Sequence, residues 1–240
     1  MTSKSSPFGI VLICRGDLRQ TQQAISAIKL NAVDTYNNII LIPSKHNQFK
    51  IKKLASVNRY KFIEYSFSFK KPFSICDLLN LALHYVFVGS YTPMSGCVFL
   101  TDEYIVTSYK MGHIWAKTIK THNIINYLDP YYVPEYAKFT DSITFFVTFL
   151  TSPVLCLSKQ AFDTLGYFST DFNDIYTTFT EYTIRGVMKG IGGSIGRFSS
   201  LKGYVRYCGD DQNKNIPKSL PYIKRHYTNT VEIISEKLAF

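Results

Sequence analysis

Apolar residues in this chain come in short unbroken runs, separated by helix-length stretches where they recur every three or four positions. The first run, Phe8 to Cys14, is continuous and rich in β-branched residues. That pattern predicts a strand buried on both faces. Arg15-Gly16-Asp17 breaks it. Leu18 to Asn31 then carries Ala24, Ile25 and Ile28, with Ala32 just beyond, at helical spacing. Asn38 to Pro43 repeats the buried-strand pattern and stops at Pro43 and Ser44. Strand, helix, strand in that order predicts a βαβ unit, a parallel sheet and right-handed crossovers.

The alternation continues. Lys50 to Asn58 predicts a short basic helix, and Tyr60 to Phe67 a third strand. Phe73 to Val88 places Ile75, Leu78, Leu79, Ala82, Leu83 and Val86 on one wide apolar face. Ser95 to Leu100 is a fourth buried run, leading straight into Thr101-Asp102-Glu103. Two acids therefore stand at the C-terminal end of a central strand, where open α/β sheets bind ligands. Residues 104–140 are Tyr-rich and show little pattern. Ser142 to Leu150 and Pro153 to Leu157 predict two more strands. Lys159 to Leu165 is a short helix closed by Gly166, and Tyr176 to Lys189 a longer one with Gly190 at C′. From Arg197 the tail is basic and irregular, with a short helix at Val231 to Leu238. The expected organisation is one α/β domain over 1–196, with a mainly parallel Rossmann-like sheet and helices on both faces. A Tyr-rich extension, 197–240, packs on or near it.

Composition narrows the class. The chain has 240 residues, 46% hydrophobic and 18% charged, which suits a folded core and excludes disorder. No internal repeat is visible, so a solenoid or propeller is not expected. No apolar stretch approaches the roughly 18 residues of a spanning helix. Gly9 to Cys14 is too short, and too soon followed by Arg15 and Asp17, to read as a signal peptide. The five cysteines, Cys14, Cys76, Cys97, Cys156 and Cys208, are widely spaced without a CxxC. They read as buried hydrophobes of a reducing, cytoplasmic compartment.

The net charge of +10 predicts attraction to phosphates, anionic membrane or acidic glycans. Much of it lies between Lys45 and Lys71, with Lys50, Lys52, Lys53, Arg59, Lys61 and Lys70 against the single acid Glu64. This stretch reads either as a solvated face or as a surface that meets an anionic membrane.

Candidate chemistry starts from Asp102 and Glu103. Adjacent acids at a packed strand end suit a hard divalent cation, magnesium or manganese, shared with a substrate's phosphates. A second group follows Phe168: Asp171, Asp174 and then Glu181, with Arg185 one helical turn further. A helix N-terminus favours a carboxylate, and a carboxylate is what a general base needs. Gly190 to Gly196 follows a helix and departs from GxGxxG, so it reads as a helix cap and loop. The five histidines show no metal spacing, and no GxSxG elbow occurs.

In order, these parts resemble a nucleotide-sugar glycosyltransferase of the GT-A kind, close to the inverting family 2. Cys14-Arg-Gly-Asp17 resembles that family's base-binding loop, and Leu79-Asn80-Leu-Ala82 the helix before its DxD strand. Phe99-Leu-Thr-Asp-Glu103 resembles the DxD strand, Val154 to Phe168 the following segment, and Glu181 to Gly190 the acidic helix. The motifs depart from the family pattern. DxD loses one acid in either alignment, and seven residues back from Arg185 stands Thr178. The resemblance implies transfer of a hexosyl group from a nucleoside-diphosphate sugar to a hydroxyl of a glycan or lipid-linked acceptor, with inversion, as in polysaccharide biosynthesis. It implies a donor site of Arg15, Asp17, Asn80 and Asp102, and a Mn2+ or Mg2+ site of Asp102 and Glu103, joined by His226. Glu181 would be the base, with Asp171 and Asp174 as rivals. Two other classes fit less well. A non-catalytic GT-A-like nucleotide-binding module is compatible with the altered motifs. A basic nucleic-acid-binding protein does not call for buried βαβ strands or a strand-end acid pair.

Overall fold

All seven residues of the first strand, β1 (Phe8–Cys14), are buried, as a continuous β-branched run requires when helices cover both sides. In the computed structural model the described residues are 8–32, 38–64, 67–68, 71–72, 74–89, 94–121, 123–126, 154–191 and 205–207. α1 (Leu18–Asn31) leads to β2 (Ile39–Pro43), and α2 (Gln48–Asn58) to the two-residue β3 (Lys61–Phe62). A small hairpin, β4 (Phe67–Ser68) with β5 (Lys71–Pro72), precedes α3 (Ile75–Phe87) and β6 (Gly96–Thr101). Then come β7 (Tyr104–Val106), α4 (Met111–Thr121), β8 (Ile124–Asn126), β9 (Leu155–Ser158), α5 (Lys159–Leu165) and α6 (Ile175–Met188). The last described element is β10 (Val205–Tyr207).

Six strands form one sheet in the order β3-β2-β1-β6-β9-β8. The four from β3 to β6 are parallel, while β9 runs antiparallel to both its neighbours. The three expected core runs are thus adjacent strands of one mainly parallel sheet. Strand alternation divides the core in two. Ile10, Leu12, Leu41, Val98 and Leu100 pack with α1, α2 and α4 on one face. Val11, Ile13, Ile40, Ile42 and Phe99 pack with α3, α5 and α6 on the other.

Differences from the sequence reading are local. The third strand is shorter than 60–67, because Ile63 and Glu64 leave the ladder after two residues. The stretch after 104 is more regular than its composition suggests, since β7, α4 and β8 lie in it. The strand expected at 142–150 and the helix at 231–238 lie outside the described residues. Beyond residue 196, β10 pairs antiparallel with β7, so that part of the tail adds a strand to the domain.

The β6–β9 contact is tight at Gly96, where an added Cβ would lie 2.6 Å from the Leu157 carbonyl oxygen and also meet Ile119. Backbone cannot yield as a side chain can. Gly96→Ala is expected to destabilise by about 2 kcal/mol, read as a shifted urea midpoint with an unchanged slope.

Candidate functional site

Parallel neighbours bring β1 and β6 to the same sheet edge, with Ile13 beside Thr101 in register. Asp102, the next residue, donates its N–H to Ile13 O at 3.0 Å. Its carboxylate then turns back over the β1–α1 loop. Oδ1 accepts from the Arg15 N–H at 2.9 Å and the Gly16 N–H at 3.1 Å, and Oδ2 accepts from Gly16 N–H at 3.2 Å and Thr21 Oγ1 at 2.7 Å. Asp102 is fully buried. Burial pushes its pKa up, against the pull of these donors.

Asn47 fixes the loop from the other side. Its Nδ2 donates to Cys14 O and Gly16 O at 3.1 and 2.9 Å, and its Oδ1 accepts from Ser44 N–H at 2.9 Å. Two loops, one after β1 and one after β2, are thereby tied together at the carboxyl ends of parallel strands.

A cleft of ≈ 330 Å³ opens there. Its floor is Ile13, Cys14 and Pro43, and Ser44, Lys45 and His46 form one wall. The other wall is Ile75 and the start of α6, from Asn173 to Tyr176. Arg15 reaches across, donating from Nη1 to Glu103 Oε2 at 3.2 Å and to Tyr176 Oη at 3.3 Å. Burial would lower the guanidinium's pKa, but Glu103, Tyr176 and Asp102 outweigh it and hold it raised. Burial also pushes the Cys14 thiol well above its usual range, with Asp102 adding to the effect. Fully buried, Cys14 forms part of the floor. On the facing wall Asp174 precedes α6, and its Oδ1 accepts from Thr177 N–H at 2.8 Å.

Arg15, Asp102 and Glu103 converge, as expected of one strand edge. Apart from Arg15, each described sequence candidate has a local structural partner. Both Asp102 oxygens accept from the chain, and Asp102 does not line the cleft. Glu103 accepts from Arg15 and from Thr101 Oγ1. Asp17 caps α1, accepting from Gln20 N–H at 2.8 Å. Asn80 is a bracket: its Nδ2 donates to Phe168 O and its Oδ1 accepts from Phe168 N–H, at 3.0 and 2.8 Å. Glu181 sits within α6 and is buried, with both oxygens held by Arg185 at 2.9 and 3.0 Å. Arg185 also donates to Leu165 O and Tyr167 O, so the pair clamps the turn after α5. Asp171 is exposed and closes a small turn with Ser169. None of Asp17, Asn80, Asp102, Asp171 and Glu181 lines the cleft. His226 lies outside the described residues. Lys45, His46, Asn47, Thr21 and Tyr176 were not legible as a site, since no motif joins them.

No family model matches the chain, and no curated protein matches its sequence. A solved mannosyltransferase from Pyrobaculum calidifontis, in complex with GDP-Man and Mn2+, is similar in structure, with a TM-score of 0.61 over 96% of this chain at 8% identity. The fold is GT-A-like. The chain spans 65% of the length of that mannosyltransferase. Looser likenesses join this GT-A-like chain to the catalytic domain of a Drosophila beta1,4-galactosyltransferase 7 in complex with xylobiose and to a Leptospira borgpetersenii cytidylyltransferase. Their TM-scores are 0.49 and 0.46, at 8% and 12% identity. The first covers 91% of this chain and 79% of the other, the second 77% and 73%. Neither adds to the fold assignment. No helix among the described residues is long and apolar enough to cross a membrane.

Proposed function

We propose that the chain is a glycosyltransferase that takes a nucleoside-diphosphate sugar in the cleft after β1 and β2. One observation carries this: the cleft has the cations Arg15 and Lys45 on one side, beside His46, and a carboxylate at a helix N-terminus, Asp174, on the other. A diphosphate is attracted to the first wall. An acceptor hydroxyl from a glycan or a lipid-linked sugar suits the second. Asp174 takes the proton from that hydroxyl as its oxygen bonds to the anomeric carbon. The bond from that carbon to the diphosphate oxygen breaks, and its electrons leave with the nucleoside diphosphate. A single displacement of this kind inverts the anomeric centre. The mannosyltransferase of similar fold, solved with GDP-Man, supports the donor class.

The GT-A resemblance also implies Mn2+ or Mg2+. Both Asp102 oxygens accept hydrogen bonds from the chain, whereas Glu103 accepts both of its own through Oε2, so of the two acids Glu103 is the one that would hold a metal beside a substrate's phosphates. No step above runs through a metal.

The test is release of nucleoside diphosphate from a panel of nucleotide sugars, with and without simple sugar acceptors, in manganese and in EDTA. Turnover of one donor is the expected result, and the EDTA arm shows whether it needs a metal. Binding without turnover would instead assign a nucleotide-binding module. No binding by any donor would refute the donor class.

A further inference from the structure

We propose that the outward face of α2 docks on the surface of an anionic lipid bilayer. α2 buries Ile51 and Ala55 against the sheet. On its outer side Phe49 is 81% exposed and Val57 75%, the two most exposed large apolar side chains among the described residues. Phe49, Lys53 and Val57 follow at i, i+4 and i+8, which puts them on one stripe. Lys50 stands beside Phe49, and both lysines are exposed.

Among the described residues the charge at Lys50 and Lys53 meets no acid. No Asp or Glu occurs from Thr35 to Ile63. Lys52 bonds Glu64 at 2.7 Å. Exposed Lys45 precedes α2, and exposed Arg59 ends it in the left-handed region at φ 58°.

Single exposed apolar residues are ordinary. Two on one stripe, interleaved with unpaired lysines, match a helix lying in a membrane interface, where apolar side chains enter the acyl boundary and lysines meet anionic headgroups. Val57 decides against nucleic acid, which would attract the lysines and stack Phe49 but gives an aliphatic side chain nothing. Lys45 and His46 belong to the cleft wall and lead directly into α2, so docking sets the cleft beside the bilayer. On the proposed transferase reading, the acceptor is then the headgroup of a lipid-linked sugar.

Flotation of the full chain with vesicles tests the docking without any donor, so its outcome is separate from that of the transferase assay. Binding is expected to phosphatidylcholine vesicles containing phosphatidylglycerol, to weaken with salt, and to be absent with phosphatidylcholine alone. Lys50→Gln with Lys53→Gln is expected to weaken binding on the order of 25-fold, at about fivefold per lysine. Phe49→Ser with Val57→Ser is expected to weaken it about tenfold. Lys189→Gln, at the end of α6, is the charge control and should have little effect. All these positions are exposed, and circular dichroism checks that the variants fold. Equal binding to both vesicle types, no binding to either, or full binding by the Phe49/Val57 variant would overturn the proposal. Salt-dependent retention on DNA without vesicle binding would overturn it in favour of a nucleic acid.

Discussion

Asp102→Ala is expected to lower stability by about 3 kcal/mol, because it strands two backbone N–H groups and leaves the Thr21 hydroxyl only its longer bond to Asp17 O. The Arg15 and Gly16 N–H groups and the Thr21 hydroxyl all point at one fully buried carboxylate. An acid in an exposed turn would change stability by only about 0.5 kcal/mol, so the two roles are well separated. Taking the charge out of water costs energy, which is why burial raises its pKa. Removing it does not recover that energy cleanly, because the Arg15 and Gly16 N–H groups stay behind without an acceptor. For a chain of this size the melting temperature should fall by about 6–12 °C. Thr21→Val removes one donor and should cost about 1 kcal/mol. Thermal and urea denaturation measure both. Melting of Asp102→Ala within a degree or two of the parent, with loss of manganese-dependent nucleotide binding, would return Asp102 to the metal role.

Asp174→Asn is expected to lose transfer by about 100-fold or more while binding donor normally, the range for removing a positioned base. The substitution separates chemistry from structure well, because Asn caps a helix as effectively as Asp. Stability should therefore hold. Glu181→Gln is expected to do the opposite. It weakens a largely buried ion pair with Arg185, costing about 2 kcal/mol, and leaves turnover per folded molecule near the parent's. Initial rates at saturating donor, set beside denaturation curves, check both. A dead Glu181→Gln and a fully active Asp174→Asn would exchange the two roles.

Why Asp174 was hard to single out follows from helix geometry. The family spacing, counted back from Arg185, lands on Thr178. Asp174 is four residues earlier, one turn along the same face. The acid is thus at the helix start but out of step with the motif, while Glu181, nearer the expected spacing, is the residue Arg185 reaches. The core was legible because each inner strand is continuously apolar and each helix carries its stripe. α4 was not. Met111, Trp115 and Ile119 bury just one side chain per turn in a Tyr-rich stretch, which is too narrow a stripe to stand out. The cleft's cationic wall was illegible for another reason. Lys45 and His46 acquire meaning only because β2 lies parallel beside β1 and their loops are tied by Asn47. A strand pairing of that kind is not written in either segment alone.

The most direct test of the central claim is a calorimetric titration of uridine, guanosine and thymidine diphosphates into the parent protein and Arg15→Ala. Arg15 reaches from the β1 loop to Tyr176 on the opposite wall, so a diphosphate in this cleft must meet its charge. One of the three should bind the parent, with affinity reduced at least about tenfold by loss of a charge-assisted contact. Failure of all three to bind, or equal affinity in Arg15→Ala, would contradict a nucleotide-sugar site at this place in the fold.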